Sequence, residues 1–425
     1  MDTIVALASA QGRAGVAIIR VSGPAAWTVC EALAGFIPPA REARLARLRD
    51  ASGGLIDSGL VLCFAEGASF TGEKVCEFQV HGSIAVVGAL LRACLACEGV
   101  RAAEAGEFTR RAFLGGRMDL TEVEALADLI DAETEVQRRQ ALSVMEGSAA
   151  RVIEGWREDL LQSLAMLEAA LDFADEELPA DLTAHVMAPL LRVRDTLGAQ
   201  IAGRKASEAV RSGFEVALIG PVNAGKSTLL NALAGREAAI TSSRAGTTRD
   251  VIEVRMEIAG LAVTLIDTAG LREAEDEIER LGIERGRARA AAADLRVYLQ
   301  GAPDEVAEGV RPEDIVLLSK ADFWGQPGIS AMTGEGIGPL IERIAGVLQQ
   351  RVAHSSVFTR ERHFDKLARA ADSVEAALSG LSGGHGWDLV GEDVKAAIRA
   401  LDGIIGRVDV EDVLGRIFSS FCIGK

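Results

Sequence analysis

The strongest chemical signal in the chain is a glycine-rich segment, Gly220-Pro-Val-Asn-Ala-Gly-Lys226-Ser227, which lies between a strand-like and a helix-like stretch. This spacing is typical of a phosphate-binding loop, in which backbone N–H groups surround phosphate oxygens and the lysine neutralises the β and γ phosphates. The serine that follows offers its hydroxyl to Mg²⁺. The segment therefore predicts a nucleoside triphosphate site, with contacts from Asn223, Ala224, Gly225, Lys226, Ser227 and Thr228.

Two further motifs lie downstream of this loop, each after an apolar, strand-like stretch. In Asp267-Thr-Ala-Gly270 the carboxylate can hold Mg²⁺ through a water, while Gly270 lets the backbone approach the γ-phosphate. In Ser319-Lys-Ala-Asp322 the Asp322 carboxylate can accept hydrogen bonds from the N1–H and exocyclic amine of guanine, which adenine does not offer. Residues 246–250, Gly-Thr-Thr-Arg-Asp, lie where a switch loop would place a threonine on the metal. These motifs predict that the nucleotide is GTP.

In this order the motifs resemble those of the translation-factor-type GTPases over residues 213–350, with two departures. The guanine-reading motif of such proteins begins with asparagine, whereas this chain has Ser319, so guanine selectivity would rest mainly on Asp322 and the affinity would fall. Leu271 stands where signalling GTPases carry a glutamine that orients the attacking water. Another polar group must then orient that water, or the protein is a very slow switch. The acidic run over residues 273–279 is, taken alone, more typical of a solvated helix start.

Composition limits the class of protein. The chain has 425 residues, of which 49% are hydrophobic and 25% charged, so it is long enough for two to three folded domains and is not disordered. The net charge of −17 argues against a protein that wraps nucleic acid with its whole surface, so any such contact would be local. The six cysteines do not form a disulfide framework, and neither a signal peptide nor a membrane span is visible. We expect a soluble, cytoplasmic protein.

Hydrophobic periodicity divides the chain into segments. Residues 1–117 alternate strand-like and helix-like patterns and predict an α+β domain, with strands over residues 16–21, 60–64 and 75–80 and helices over 24–33 and 83–97. Residues 118–210 are helical, since six apolar residues from Ile153 to Leu171 recur at a spacing of three and four, and a second tract covers residues 184–206.

A second change of pattern marks an inserted domain. Residues 211–350 predict an α/β P-loop GTPase domain, with strands over 214–219, 251–258, 261–266, 295–299 and 315–318 and a helix over 278–293. Helical character returns over residues 351–425. The predicted fold is therefore an α+β domain followed by an all-α domain into which the GTPase domain is inserted.

Segments outside the GTPase region resemble a single family along the whole chain. They are Asp2-Thr-Ile-Val-Ala6, Gly15-Val-Ala-Ile-Ile-Arg-Val-Ser-Gly23, Ser69-Phe-Thr-Gly-Glu-Lys-Val-Cys-Glu77, Ala105-Gly-Glu-Phe-Thr109 through Asp119-Leu120, and the terminal Gly415-Arg-Ile-Phe-Ser-Ser-Phe-Cys-Ile-Gly-Lys425. Together with the GTPase motifs they are similar to the MnmE (TrmE) family of bacterial tRNA modification GTPases.

The resemblance implies an activity and its partners. Members hydrolyse GTP and, with an FAD-dependent partner, MnmG (GidA), install an aminomethyl or carboxymethylaminomethyl group at carbon five of the wobble uridine in tRNA. Their N-terminal domain forms a homodimer and binds 5-formyltetrahydrofolate or a related tetrahydrofolate. Matched by motif, the folate contacts would be Arg20, Glu77, Arg117 and Lys425. Arg117 stands where the family has lysine. Cys422 matches a family cysteine that acts in tRNA modification, and a buried, inert thiol is the alternative for this position. A prenylation box is excluded, because Gly424 and the terminal Lys425 do not suit it.

The resemblance also implies that K⁺ and dimerisation of the GTPase domain support hydrolysis. The K⁺ ligands would be Asn223, Ser242, Arg244 and Thr247, Mg²⁺ would bind Ser227 and Thr248, and Glu279 would be the catalytic acid that orients the water. Arg244 departs from the apolar residue of the family, a change that a carbonyl ligand tolerates. A cation beside the phosphates supplies the charge that an arginine finger supplies elsewhere. The further predicted GTP contacts are Ser242, Ser243, Arg244, Ala245, Gly246, Thr247, Thr248, Asp267, Thr268, Ala269, Gly270, Ser319, Lys320, Asp322, Ser330 and Ala331.

Two other functions are compatible with parts of the pattern. Several GTPases that carry leucine at the position of Leu271 act as binding switches in ribosome assembly, but they attach RNA-binding domains, where this chain has a folate-like domain and a Phe-Cys-Ile-Gly-Lys end. A folate-binding scaffold with a vestigial GTPase is disfavoured because Lys226, Ser227, Thr248 and Asp267 are intact.

Overall fold

A computed structural model describes residues 2–172, 182–236, 253–267, 288–307 and 309–408, together with residues 414, 415, 417, 418, 421 and 424. The chain divides into two compact units, one of Met1–Ala127 with Asp402–Lys425 and the other of Asp128–Leu401. In the described ranges, no helix combines the length and the apolar character that crossing a membrane requires.

The first unit is built on a six-stranded sheet with the strand order β3-β4-β5-β2-β1-β6. β2 lies in the middle and pairs antiparallel with both β1 and β5, while β1 pairs parallel with β6. The predicted strands are confirmed, and the sequence analysis missed β1, β3 and β6. The strands are β1 Thr3–Leu7, β2 Ala14–Ser22, β3 Arg44–Arg49, β4 Leu55–Phe64, β5 Val75–Gly82 and β6 Val100–Ala102.

Side-chain alternation along these strands divides the apolar residues between the two faces of the sheet. On one face, Ile19 and Val21 of β2 share a core with the helices α1 (Ala26–Ala34) and α2 (Ile84–Leu95). Ile4 and Ala6 of β1 belong to a different cluster, where they pack with Phe108 of the helix α3 (Glu107–Leu114). This second face carries Arg20 and Glu77, two of the residues that the family resemblance assigns to folate.

The helix Leu120–Asp131 begins in the first unit and supports the C-terminal residues of the chain. Leu120 and Val123 form a small buried cluster with Leu414, Phe418 and Phe421. Phe418 and Phe421 of the terminal motif are thereby packed within the first unit.

The second unit contains helices from both predicted helical tracts. Trp156 stacks on Phe358 with ring centroids 5.8 Å apart, and its indole N–H donates to Thr196 Oγ1 over 2.8 Å. Most of the predicted apolar face is buried, but Leu171 is 43% exposed. The helices are Glu135–Met145, Ser148–Asp172, Leu182–Ala202, Arg204–Ser212, Lys226–Arg236, Ala321–Trp324, Ile337–Val352, Glu361–Gly383 and Trp387–Ile405.

The tract predicted over residues 184–206 is two helices, because the chain breaks at Gly203. A Cβ atom at Gly203 would lie 2.7 Å from both the His354 carbonyl and the Ser356 amide, so the returning chain packs directly on this backbone. Ser207 Oγ and Ser356 then exchange hydrogen bonds of 3.0 and 2.7 Å. The break is a tertiary contact that helical periodicity does not encode.

The second unit also holds a five-stranded sheet with the order β11-β10-β7-β9-β8, as the α/β pattern predicts. Four strands are parallel, and β8 pairs antiparallel with β9 through a turn at Ala259-Gly260, where both residues have positive φ. Of the helix predicted over residues 278–293, residues 288–293 are described, and of these residues 288–292 are helical. The strands are β7 Phe214–Ile219, β8 Glu253–Ile258, β9 Leu261–Asp267, β10 Leu295–Gln300 and β11 Ile315–Leu318.

Candidate functional site

The glycine-rich loop joins the buried central strand β7 to the helix Lys226–Arg236. Gly220 has φ 135°, and a Cβ atom there would lie 2.3 Å from the Leu299 carbonyl of β10, so this position requires glycine. Asn223 also has a positive φ of 63°, which asparagine tolerates better than most residues. The loop therefore passes at the end of the sheet close to its neighbouring strand and ends at the N-terminus of a helix, a geometry that binds phosphate.

The Lys226 side chain folds back onto the phosphate-binding loop. Its ammonium group donates to the carbonyls of Gly220 and Pro221 over 2.8 and 2.7 Å, and the residue is only 5% exposed. Burial lowers the pKa of Lys226, whereas the nearby carboxylates of Asp267 and Glu305 raise it. The lysine is thus held at the mouth of the loop, where phosphate oxygens can replace the two carbonyls as acceptors.

Ser227 and Asp267 meet at the ends of two parallel strands. Leu218 of β7 is paired with Asp267 of β9, which brings the carboxylate to the first turn of the helix that follows the loop. Ser227 Oγ donates to Asp267 Oδ2 over 2.5 Å, and Asp267 is 2% exposed. A hydroxyl and a carboxylate are oxygen ligands of the kind that Mg²⁺ prefers, so this pair fits a magnesium site.

The predicted base-reading residues follow β11, two strands away from β7. The Ser319 amide donates to the Gln300 carbonyl over 2.9 Å, and Lys320 adopts a positive φ of 54° before a short helix that carries Asp322. Ser319 Oγ is buried and has no hydrogen-bond partner in the described part of the chain. An asparagine here would place its longer amide farther into the site, whereas serine leaves its hydroxyl without a partner.

The phosphate side and the base side form one pocket. In this pocket, residues from the loop lie beside the motif of residues 319–322 and the pair Ser330 and Ala331. Sequence reasoning missed apolar residues that line this pocket. Among them are Phe323, which is 75% exposed, and Met332, which is 86% exposed. Each directly follows a predicted contact, and this adjacency is the signal that could have identified them. The lining is Ala224, Gly225, Thr228, Leu229, Leu299, Ser319, Lys320, Asp322, Phe323, Ile329, Ser330, Ala331 and Met332.

A large part of the predicted site lies outside the described residues, and for it the sequence-based assignments stay predictions. These residues are Ser242, Ser243, Arg244, Ala245, Gly246, Thr247, Thr248, Thr268, Ala269, Gly270, Glu279, Cys422 and Lys425.

Two of the residues assigned to folate lie side by side on the first unit's sheet. Arg20 of β2 is paired with Glu77 of β5, and Arg20 Nε donates to Glu77 Oε1 over 2.8 Å. The Arg20 guanidinium also lies 5.9 and 5.8 Å from the ring centroids of Phe70 and Phe108. Arg117 is exposed and lies beside Gly72, in the segment that leads to Glu77. Arg20 and Glu77 thus offer a guanidinium group and a carboxylate to a polar ligand, while the Phe108 ring is fully buried.

A network of ionic side chains that the sequence analysis missed lies close in sequence to these residues. Arg111 contacts Asp2, Glu73 and Glu107, and Arg101 contacts Asp2 and Glu107. Burial alone would raise the pKa of Glu107, but the Arg101 and Arg111 guanidinium groups and the Glu104 amide lower it to about 2. The network fixes the N-terminus of α3, the helix that supplies Phe108.

Comparison with known proteins covers the whole chain. A family model described as "GTP-binding protein TrmE N-terminus" matches residues 3–117, and one described as "MnmE helical domain" matches residues 120–422. The chain is 51% identical over 428 residues to "tRNA modification GTPase MnmE" of Roseobacter denitrificans, and 52% identical over 430 residues to the protein of that name from Cereibacter sphaeroides. In both cases 100% of each chain is covered.

Solved structures give a weaker likeness. The chain resembles Era in complex with MgGDPNP and a 16S ribosomal RNA segment, with a TM-score of 0.25, 21% identity, and coverage of 38% of this chain and 66% of that one. It resembles the G domain of the FeoB iron transporter of T. maritima with a TM-score of 0.23, 25% identity, and coverage of 32% and 98%. These scores are too low to indicate a function. The full-length identities and the two family models show instead that the chain belongs to the MnmE family of tRNA modification GTPases.

Proposed function

We propose that this chain is a K⁺-dependent GTP hydrolase that, with an FAD-dependent partner of the MnmG type, modifies the wobble uridine of tRNA at carbon five. A tetrahydrofolate supplies the one-carbon unit for an aminomethyl or carboxymethylaminomethyl group. The pocket shared by the phosphate-binding loop and Asp322 is the observation that carries the proposal, since it joins a triphosphate site to a carboxylate suited to guanine.

At this pocket the chain's own groups bind and orient GTP. The Lys226 ammonium exchanges its two loop carbonyls for phosphate oxygens, and Asp322 accepts hydrogen bonds from the guanine edge. The exposed side chains of Phe323 and Met332 offer apolar surface to the base and ribose. These contacts fix the nucleotide at its phosphate end and at its base end, and positioning of this kind is a large part of phosphoryl-transfer catalysis.

Ser227 and Asp267 would hold Mg²⁺, together with Thr248. When bound, Mg²⁺ and K⁺ neutralise the charge that develops between the β and γ phosphates. The proposed K⁺ ligands are Asn223 together with Ser242, Arg244 and Thr247, and Glu279 orients the attacking water. The positive φ of Asn223 supports this role because it turns the loop sharply beside the phosphate site.

On the first unit, Arg20 and Glu77 would bind the tetrahydrofolate, with Arg117 and Lys425. The Glu77 carboxylate can accept from the N–H groups of a pterin, while a guanidinium can pair with the ligand's glutamate tail. The rings of Phe70 and Phe108 keep Arg20 in place on the sheet. Cys422 is proposed to act in the modification step.

We propose that the chain works as a homodimer in the cytoplasm, with domain boundaries near residues 117, 210 and 350. Because the chain carries a net charge of −17, its overall potential repels RNA. The tRNA would then be bound through a local surface or mainly by the flavoprotein partner.

Nucleoside analysis of tRNA tests the proposal. Cells without the protein should lose the modified wobble uridine, wild-type protein should restore it, and the variant Lys226→Ala should not. The variant Lys205→Ala is the matched control, because this lysine lies on the helix Arg204–Ser212 away from the loop. An unchanged wobble uridine in the deleted strain would refute the proposed function and would favour a ribosome-assembly switch.

A further inference from the structure

Three cysteines that are far apart in sequence converge in the core of the first unit. Cys30 comes from α1, Cys63 from β4 and Cys76 from β5, and all three are 0% exposed. Their Sγ atoms lie within 4.8 Å of one another, and those of Cys30 and Cys63 are 3.7 Å apart. Three sulfur atoms therefore point to a single spot between the sheet and the helix.

The spacing of these sulfur atoms matches that of a metal site. A thiolate ligand lies about 2.3 Å from Zn²⁺ and similar ions, so three thiolates arranged around one ion are roughly 3.8 to 4.0 Å apart. The separations of 3.7 to at most 4.8 Å bracket this range, so small rotations of the side chains suffice to close the site. We propose that Cys30, Cys63 and Cys76 bind one thiophilic metal ion as a three-thiolate site.

The coordination number selects the ion. In the described part of the chain, no further histidine, cysteine, aspartate or glutamate joins this group. Zn²⁺ in proteins is almost always four-coordinate, whereas soft thiolate ligands also select Cu(I), an ion that is stable with three sulfur ligands. The three residues are also fully buried, so bulk solvent does not supply a fourth ligand in the folded chain, and Cu(I) fits this site better than Zn²⁺.

Binding changes the charge of the core. Each thiol that binds as thiolate releases its proton to solvent. One Cu(I) offsets one of the three negative charges, so the loaded site carries a net charge of −2, and the three Cu–S bonds must outweigh the cost of burying it. The surroundings are apolar, since Val29, Val61 and Phe78 belong to the same cluster. A dry, apolar shell also protects the reduced ion from oxidation and exchange.

The connection between α1 and β3 provides the route of entry. Cys30 Sγ donates to the Phe36 carbonyl over 3.4 Å, and the Arg41 amide donates to the Cys63 carbonyl over 2.8 Å. This connection therefore covers two of the three sulfur-bearing residues, and Phe36 and Ile37 are 37% and 39% exposed. An ion would enter when the connection opens or before folding is complete, so loading of the folded protein should be slow.

The test uses the full-length, reduced chain with Cys94, Cys97 and Cys422 replaced by alanine, so that the three clustered thiols alone remain. Cu(I) is added anaerobically in the presence of a competing Cu(I) chelator, during refolding and, separately, after it. We expect one Cu(I) per chain, a sulfur-to-copper absorption band, protection of three thiols from alkylation, and three Cu–S bonds by X-ray absorption. Loss of this binding in Cys63→Ser and Cys76→Ala completes the expected result.

Three outcomes would overturn the proposal. Cu(I) lost entirely to the chelator would mean that the thiols only pack the core. Equal retention of Cu(I) by Cys63→Ser would place the ion elsewhere. The parent with all three thiols is measured first, so its stoichiometry and its X-ray absorption result decide the test even if a variant misfolds. Stoichiometric Zn²⁺ in place of Cu(I) at the same thiols would refute the assignment of the ion.

Discussion

The Ser227 hydroxyl donates to the Asp267 carboxylate over 2.5 Å, across forty positions of the sequence. The parallel pairing of β7 with β9 creates this contact, since it aligns the strand before the loop with the strand that ends in Asp267. In the proposed magnesium site, Ser227 would bind Mg²⁺ through its hydroxyl and Asp267 would hold the ion through a water. Because the two side chains already lie together, little rearrangement would be needed.

Replacing Ser227 with alanine should therefore strongly reduce Mg²⁺-dependent activity without unfolding the protein. We expect kcat/KM for GTP to fall by roughly 100-fold, as for other groups that stabilise transition-state charge. The measurement is phosphate release at several Mg²⁺ concentrations. Ser212→Ala is the matched control, because its hydroxyl only donates to the Glu208 carbonyl at an exposed helix end. Activity of Ser227→Ala within twofold of wild type would contradict the magnesium assignment.

The variant Ser319→Asn should bind guanine nucleotides more tightly than wild type. The buried Ser319 hydroxyl lacks a partner among the described residues, and an asparagine amide can reach further and hydrogen-bond. One added hydrogen bond of about 0.5 to 1.5 kcal/mol corresponds to an affinity gain of about 2- to 10-fold. Titration with a fluorescent GDP analogue measures this gain, and Ser330→Asn, a substitution on the neighbouring loop, should give none. Weaker binding by Ser319→Asn would show that serine is matched to this pocket.

A feature of the site can be predicted from the sequence when residues close together in the chain are enough to determine its conformation and chemistry. The loop at Gly220 to Ser227 is local, because its glycines, lysine and serine determine its shape and charge wherever a strand precedes it. The helix break at Gly203 depends instead on contact with His354 and Ser356, which no local pattern reveals.

The same distinction applies to the missed strands and lining residues. β3 is an edge strand in which four of six residues are exposed, including three arginines, so its apolar alternation is weak. Phe323 and Met332 have no chemical signature of their own and are identified by the pocket that they line. The Cys30, Cys63 and Cys76 cluster likewise follows from the sheet, because spacing in sequence does not bring these residues together.

Glu77→Gln should weaken folate binding while leaving the GTPase pocket unchanged. The substitution keeps the size of the side chain but removes the charge that pairs with Arg20, and a hydrogen bond to a charged group contributes about 1.5 to 3 kcal/mol. We expect the affinity for 5-formyltetrahydrofolate to fall by about 10- to 100-fold in isothermal titration. Glu98→Gln, outside the strands of this sheet, serves as the control. Unchanged affinity in Glu77→Gln would exclude this carboxylate from the site.

The acid stability of the first unit should depend on Glu107. Burial alone would raise the pKa of the Glu107 carboxyl group. Arg101 and Arg111 outweigh this effect and hold the pKa at about 2, below its value of about 4.3 in an unfolded chain. Since the pKa is lowered by folding, the stabilisation is present above about pH 4.3 and is lost as the pH falls toward 2.

Hydrogen exchange across residues 100–114 reports this effect. The backbone amides of the wild-type protein should lose protection from exchange between about pH 4 and 2. In Glu107→Gln, the free energy of opening that exchange reports should be lower already at pH 7, by about 1 to 3 kcal/mol. Glu104→Gln is the matched control, because the backbone amide of Glu104, not its side chain, contacts Glu107. The same acid dependence in Glu107→Gln as in wild type would assign the effect to another group.

The rate of GTP hydrolysis in KCl compared with NaCl tests the central claim most directly. If K⁺ binds beside the phosphates, we expect kcat to be roughly 10-fold higher in KCl or more, since a cation there supplies the positive charge that an arginine finger supplies in other GTPases. Glu279→Ala should lose roughly 100-fold in KCl, because the side chain that orients the attacking water is removed, while Glu275→Ala in the same acidic run should retain its activity. Equal rates in the two salts, or a Glu279→Ala variant as active as wild type, would contradict the proposed mechanism.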